Sequence, residues 1–171
     1  MSDVRKILVT GASGYVGGRL VTSLLEDNAQ VRVFVRDANK AQSHSWASKV
    51  EIAVGNASDY QSTVKALTGI HTAFYLLHSI NSGTNFDKIE SEMARSFAKA
   101  AQEANVKQII YLGGINNDAK TSKHLKSRAN TGKELATTDV AVLELRAGII
   151  IGSGSASFEM LRHLTHRLPI M

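Results

Sequence analysis

Between Val9 and Gly18 the chain reads VTGASGYVGG, with glycine at positions 11, 14, 17 and 18. A plain turn needs one or two glycines. The spacing Gly11-x-x-Gly14-x-x-Gly17 marks a backbone that must come close to something. The chemistry it permits is anion binding. Gly11 allows a tight turn, Gly14 lets the backbone approach a pyrophosphate, and Gly17 lets a following helix pack against the strand before it. The amides at the head of that helix, around Tyr15 and Val16, and the helix dipole would hold the negative charge, and Ser13 adds a hydroxyl donor. The plain alternative is a glycine-rich strand-to-helix turn that holds no ligand.

The loop needs a strand before it and a helix behind it, and the chain supplies both. Short apolar, β-branched runs at 6–10, 30–35, 50–54, 72–77, 108–112 and 141–151, the last broken near Gly148, read as strands. They are nearly continuous in hydrophobicity, as expected of a parallel sheet covered by helices on both faces. Val16, Leu20, Val21, Leu24 and Leu25 recur at helical spacing after the glycine loop. Further helical patterns lie at 59–67, 86–104 and 123–136, with stops expected at Gly69 and Asn105. Asp37 and Asp59 read as helix caps. This βαβαβ order predicts an α/β fold, a doubly wound parallel sheet with right-handed crossovers. In such sheets ligands bind beyond the carboxyl ends of the strands, where the glycines lie.

The totals bound the function classes. A chain of 171 residues fits one domain with a substantial core. It holds no cysteine, so disulfides and thiolate metal sites are excluded, and no metal site is read from the sequence. No apolar run approaches the roughly 20 residues needed to span a bilayer. The apolar run behind Arg5-Lys6 ends at Val9, too short for a secretory signal, so a cytoplasmic location is the expectation. The net charge of +5 permits an anionic partner. Lys120, Lys123, Lys126, Arg128 and Lys133 cluster without interleaved aromatics, which reads as a solvated helix face and argues against nucleic acid.

The stretch ILVTGASGYVGGRLV, with its G-x-x-G-x-x-G spacing, resembles the short-chain dehydrogenase/reductase superfamily. VFVRD, VGNASD, YLLHS and IIYLGG, at the ends of the second to fifth strands, are similar to the atypical extended branch near the NmrA-like proteins that bind NAD(P). The resemblance implies a Rossmann-type sheet and a dinucleotide cofactor. An NAD-preferring site usually ends its second strand in Asp or Glu, which binds the ribose 2′-hydroxyl. Here Val35 is followed by Arg36, which can pair with a 2′-phosphate, so NADP(H) is favoured, with NAD(H) possible. The alternative is that Arg36 is a surface residue at a strand end. Where family members carry Gly-Asp after the third strand, this chain has Gly55-Asn56-Ala57, and the Asn56 amide can bond the adenine. Leu77 and His78 would flank the cofactor riboses, His78 facing the nicotinamide pocket or standing in a structural or exposed role.

The same resemblance implies a Tyr-x-x-x-Lys pair on a helix and a hydroxyl residue at the end of the fifth strand. In SKHLKSRANTGKEL the pattern places His124 at the tyrosine position and Arg128 at the lysine position, and YLGGIN places Gly113 and Gly114 where the hydroxyl would be. His124 is the candidate catalytic acid, or else a binding or surface residue. Arg128 can hold an anion but not shuttle a proton. A second glycine-rich turn, GSGSASF, reads as an ordinary loop with Ser155 or Ser157 as helix cap, or as a second anion site. Proteins of this branch usually continue into a portion that shapes the substrate pocket, so the chain reads as a short member or a fragment. Two function classes stand: an NADP(H)-dependent oxidoreductase of atypical type acting on an unnamed small molecule, and a non-catalytic module that reads dinucleotide redox state for a regulatory protein partner.

Overall fold

Strands β1 (Ile7–Thr10), β2 (Val31–Val35), β3 (Glu51–Val54), β4 (Thr72–Tyr75), β5 (Gln108–Gly114) and β6 (Ala141–Ala147) form one sheet in the order β3-β2-β1-β4-β5-β6. They are seen in a computed structural model that describes residues 5–78, 86–115, 123–148 and 150–167. Every ladder is parallel, with Val9 paired to Val33 of β2 on one side and to Phe74 of β4 on the other. Helices α1 (Tyr15–Glu26), α2 (Ala38–Gln42), α3 (Tyr60–Leu67), α4 (Phe86–Glu103), α5 (Lys123–Leu135) and α6 (Ala156–Arg167) follow the strands in turn, a short 3-10 turn (Ala47–Lys49) preceding β3.

The alternation of side chains along a strand divides the core. Leu8, Ala73, Tyr75, Ile109 and Tyr111 pack with Leu67, Phe97 and Leu135 beneath α3, α4 and α5. Val9, Val31, Val33 and Val35 pack on the opposite face with Val21 of α1, Ala41 and Trp46. Full burial of side chains of this size contributes about 1.5–3 kcal/mol each. The helix ends follow their residue types. Asn28, Gly69 and Asn105 take positive φ just beyond α1, α3 and α4. Asp37, Asp59 and Ser155 accept backbone N–H bonds at the heads of α2, α3 and α6, as their side chains suit them to do.

Strand order reverses between β1 and β4. The chain runs outward from β1 to β3 and returns to place β4 on the other side of β1, so the connections leaving β1 and β4 diverge and a crevice opens between them. Thr10, fully buried, joins the two strands at this point. Its hydroxyl donates to the Phe74 carbonyl at 3.0 Å and accepts the Leu76 N–H at 2.9 Å.

The sixth strand departs from expectation. It stops at Ala147, and Leu143 and Leu145 are nearly half exposed. The apolar run at 141–151 predicts burial on both faces. As an edge strand, β6 pairs with β5 on one side and, among the described residues, has no strand on the other. Ile151 and the α6 residues Met160, Leu161 and Leu164 are exposed nearby in the chain. Among the described residues no helix is long and apolar enough to cross a membrane.

Candidate cofactor site

The loop from β1 to α1 shows which glycines the chain itself requires. Gly11 has φ +65°, and an added Cβ would stand 2.8 Å from the Leu76 carbonyl oxygen. At Gly17 the added Cβ would stand 2.2 Å from the Gly11 carbonyl oxygen, inside the backbone of the loop. Both are demanded by the fold. Gly14 is different: φ −83° and ψ 171° suit any residue, and its added Cβ meets only the Gly11 oxygen, at 3.2 Å. Within the chain, that one tight contact is all that a side chain at this position would meet.

Gly14 is also the N-cap of α1, and no side chain caps that helix. Nor does its first turn contain an acidic residue. The opening amides of a helix have no carbonyl partners within it. At α2 and α3 an aspartate supplies the missing acceptor. At α1 no side chain does so, and the positive pole of the helix is one that suits an anion.

This helix head borders a crevice of about 590 Å³ at the carboxyl ends of the strands. Gly11, Ala12 and Ser13 form its centre; Phe34, Val35 and Arg36 from β2 and Gly55 to Ser58 after β3 form one end. Leu77 and His78 line it from beyond β4, and Ile89 and Met93 from α4. The crevice thus brings together Gly11, Ser13, Arg36, Asn56, Ala57, Leu77 and His78 from the residues read in the sequence. Arg36 is exposed. Asn56 spends its side-chain oxygen on the Ser58 N–H at 3.1 Å, which leaves its NH2 group as the donor toward a base. Gly55 is fixed by sterics, since a Cβ there would stand 2.8 Å from the Phe34 ring.

Four positions read as cofactor contacts do not line this crevice; of these, Gly14 and Tyr15 border a neighbouring hollow on the α1 side. Tyr15 turns its ring outward, under the Arg19 guanidinium at 3.8 Å and against Gly152 and Gly154 of the second glycine loop. Val16 is half-buried in the first turn of α1 and Gly17 lies buried against the loop, and neither lines the crevice. Tyr15, Val16 and Gly17, in the first turn of α1, have backbone N–H groups to offer an anion. Conversely, Phe34, Ile89 and Met93 line the crevice unannounced. The signal for the last two was present in their i, i+4 spacing on α4, which sets both on one face.

Beyond His78, β5 and α5 close the far end. A Cβ at Gly113 would stand 2.5 Å from a Glu144 carboxylate oxygen, and one at Gly114 would stand 2.8 Å from Leu125 Cδ2. The tips of the Glu144 and Leu125 side chains lie beside the place of the hydroxyl residue. Arg128 packs against the same spot, its Cδ 3.4 Å from the added Gly114 Cβ. His124 lies in the first turn of α5, with its side chain outside the described residues; Lys120 and the Lys123 side chain also lie outside them. Lys126 and Lys133 are exposed, as a solvated face requires. Burial, reinforced by the Arg128 charge and opposed by Glu90, depresses the His78 imidazole to about 4, so it is neutral at pH 7. Burial pushes the Tyr111 hydroxyl up to about 12 and that of Tyr75 higher still, so both are uncharged donors. Among the described residues no three His, Asp or Glu side chains converge as metal ligands.

A parallel sheet in this order, with an uncapped, glycine-led helix opening on the crevice at its switch point, defines a dinucleotide-binding Rossmann domain. Sequence comparison agrees. The chain belongs to the NAD(P)H-binding family, whose model matches residues 11–145. It is 32% identical over 120 residues to a 3-beta-hydroxysteroid dehydrogenase of Mycolicibacterium neoaurum, covering 64% of this chain and 32% of that protein. It is 25% identical over 175 residues to a ceramide reductase of Caulobacter vibrioides, covering 99% of this chain and 54% of the relative. The structure of a Citrobacter sp. triphenylmethane reductase superposes with a TM-score of 0.77 at 25% identity, covering 94% of this chain and 54% of that one. The chain therefore spans a third to about half of the length of these relatives.

Proposed function

We propose that this chain is the cofactor-holding part of an NADP(H)-dependent oxidoreductase of atypical type, in the cytoplasm and acting on a small molecule. The observation that carries the reading is the uncapped head of α1 beside Gly14, where a pyrophosphate supplies the acceptor that an aspartate supplies elsewhere. Arg36 at one end of the crevice fixes the orientation: it takes the 2′-phosphate, adenine lies toward Asn56 and Ala57, and nicotinamide lies toward Leu77 and His78. The bound nicotinamide would supply hydride transfer. The chain's own part is to bind and orient the cofactor and, through neutral His78, to offer a hydrogen bond without a charge. Titration with NADPH and NADH tests the reading; binding of NADPH that is no tighter than NADH removes the role of Arg36.

A second reading is favoured by Gly113 and Gly114. Glycine at these positions offers no hydroxyl that would orient a carbonyl, and His124 and Arg128 stand where the tyrosine and lysine would be. That arrangement suits a module that binds the dinucleotide and reports its redox state to a protein partner. Single-turnover oxidation of NADPH against a panel of carbonyl compounds separates the two: turnover supports the enzyme, and stable binding without turnover supports the module.

A further inference from the structure

The turn of α5 that carries Arg128 is held from two sides by polar groups that helix packing alone does not need. From α4, the Glu90 carboxylate accepts the Ser127 hydroxyl in a short hydrogen bond. Both residues are buried, Glu90 at 7% and Ser127 at 4% exposure. From β5, the fully buried Tyr111 hydroxyl donates to the Arg128 main-chain carbonyl at 3.0 Å. A buried carboxylate is an expensive way to join two helices, since an apolar pair of similar volume does so without desolvating a charge.

The cation that shares this region is Arg128. The Tyr111 ring that anchors its turn stands 6.4 Å, centroid to centroid, from the His78 ring, and the Arg128 side chain lies against Gly114 at the end of β5. The charges of Arg128 and Glu90 therefore share the end of the crevice beyond β4. Oxidised nicotinamide is a cation and reduced nicotinamide is neutral. An uncompensated guanidinium at this end would weaken the oxidised form and leave the reduced form nearly untouched.

We propose that Glu90 is a positioning residue for the nicotinamide end: through Ser127 it fixes the turn bearing Arg128, and its charge offsets the guanidinium so that the site accepts the oxidised cofactor. The inference rests on the cofactor orientation proposed above. It makes the ratio of NADP+ to NADPH affinity a property of a buried pair on α4 and α5.

Calorimetric titration of NADP+ and NADPH at pH 7.5 tests it on the 171-residue chain and on Glu90→Gln, Arg128→Gln and the double variant. Glu90→Gln keeps the shape and a hydrogen bond to Ser127 while removing the charge. It raises the NADP+ Kd about three- to tenfold, the range for one partly screened unit charge, and leaves NADPH within about twofold. Arg128→Gln shifts the ratio the other way, and it carries the test without touching the buried pair if Glu90→Gln fails to fold. The double variant returns the ratio to within about twofold of the wild type, because the two opposite charge effects then cancel. Equal changes for both cofactors in either single variant, or no change, overturn the proposal, as does a double variant that keeps the ratio of Glu90→Gln. Failure of the parent reading looks different: the unaltered chain then binds neither dinucleotide, or Gly14→Val binds both as tightly as before.

Discussion

Replacing the two glycines that flank Tyr15 and Val16 separates what the fold needs from what the ligand needs. At Gly17 an alanine Cβ would stand 2.2 Å from the Gly11 oxygen, 2.7 Å from the Gly11 carbonyl carbon and 2.8 Å from the Ala12 Cα. All three atoms are backbone, in a loop already pinned by the Gly14 N–H to the Gly11 carbonyl at 2.9 Å. No flexible side chain can yield, so α1 must move off the loop, at a cost of about 3 kcal/mol or more. At Gly14 only the Gly11 oxygen is close, at 3.2 Å, and the backbone angles are ordinary. Gly14→Val should cost about 1 kcal/mol or less, because the lost freedom of glycine in the unfolded chain offsets part of the poorer cap. For a chain of this size 1 kcal/mol is about 2–4 °C in Tm. The Val side chain nevertheless stands where the pyrophosphate must approach, and NADPH affinity should fall about a hundredfold or more, roughly 3 kcal/mol. Thermal melting and NADPH titration of both variants form the assay. A Gly14→Val protein that melts near the wild type and still binds NADPH undiminished would refute the reasoning.

Other expectations follow from the same geometry. Arg36→Ala should weaken NADPH about tenfold to hundredfold with NADH nearly unchanged, the loss of one charge-assisted contact; equal losses in paired titrations would show that Arg36 does not read the phosphate. Ordinary ketone or aldehyde reduction should be slow or absent even with NADPH bound, since general acid catalysis is typically worth about 100- to 10,000-fold. If His124 does serve as the acid, the rate follows one ionisation and His124→Phe removes it; brisk reduction that ignores this change puts the acid elsewhere. His78 takes up its proton at about 4 in the fold against an ordinary 6.5, so the unfolded chain binds more protons between those values. Stability from this group is complete above about pH 6.5 and is lost as pH falls toward 4, by at most about 3 kcal/mol. Denaturant melts of His78→Leu across that window should show a shallower acid slope than the wild type.

Most of the fold was legible because the signals are local. Apolar runs between glycine or asparagine stops gave the strands, and Asp37, Asp59 and Ser155 announced helix heads that they do cap. The strand order follows from chain sequence and handedness. What the sequence concealed depends on neighbours far along the chain. Leu143 and Leu145 look like core residues, and only the edge position of β6 exposes them. Tyr15 sits inside the motif, yet its ring answers to Arg19 and Gly152, the latter far along the chain. The buried pair Glu90–Ser127 joins a charged position of α4 to one in a lysine-rich stretch, and no periodicity marks it.

Thr10 has a kinetic consequence. Its hydroxyl bridges β1 to the end of β4, elements more than 60 residues apart in sequence, at the seam where the cofactor would lie. Joining them closes a long loop, and such contacts form late relative to neighbouring pairs such as β1 with β2. The seam is therefore the natural place for the sheet to open into two halves of three strands. A ligand spanning Arg36 and His78 would lie across that break and hold it shut. The Leu76 amide, bonded to the Thr10 hydroxyl, then acts as the reporter: its hydrogen exchange should slow when NADPH is added and quicken in Thr10→Val, while amides within β5 and β6 respond less.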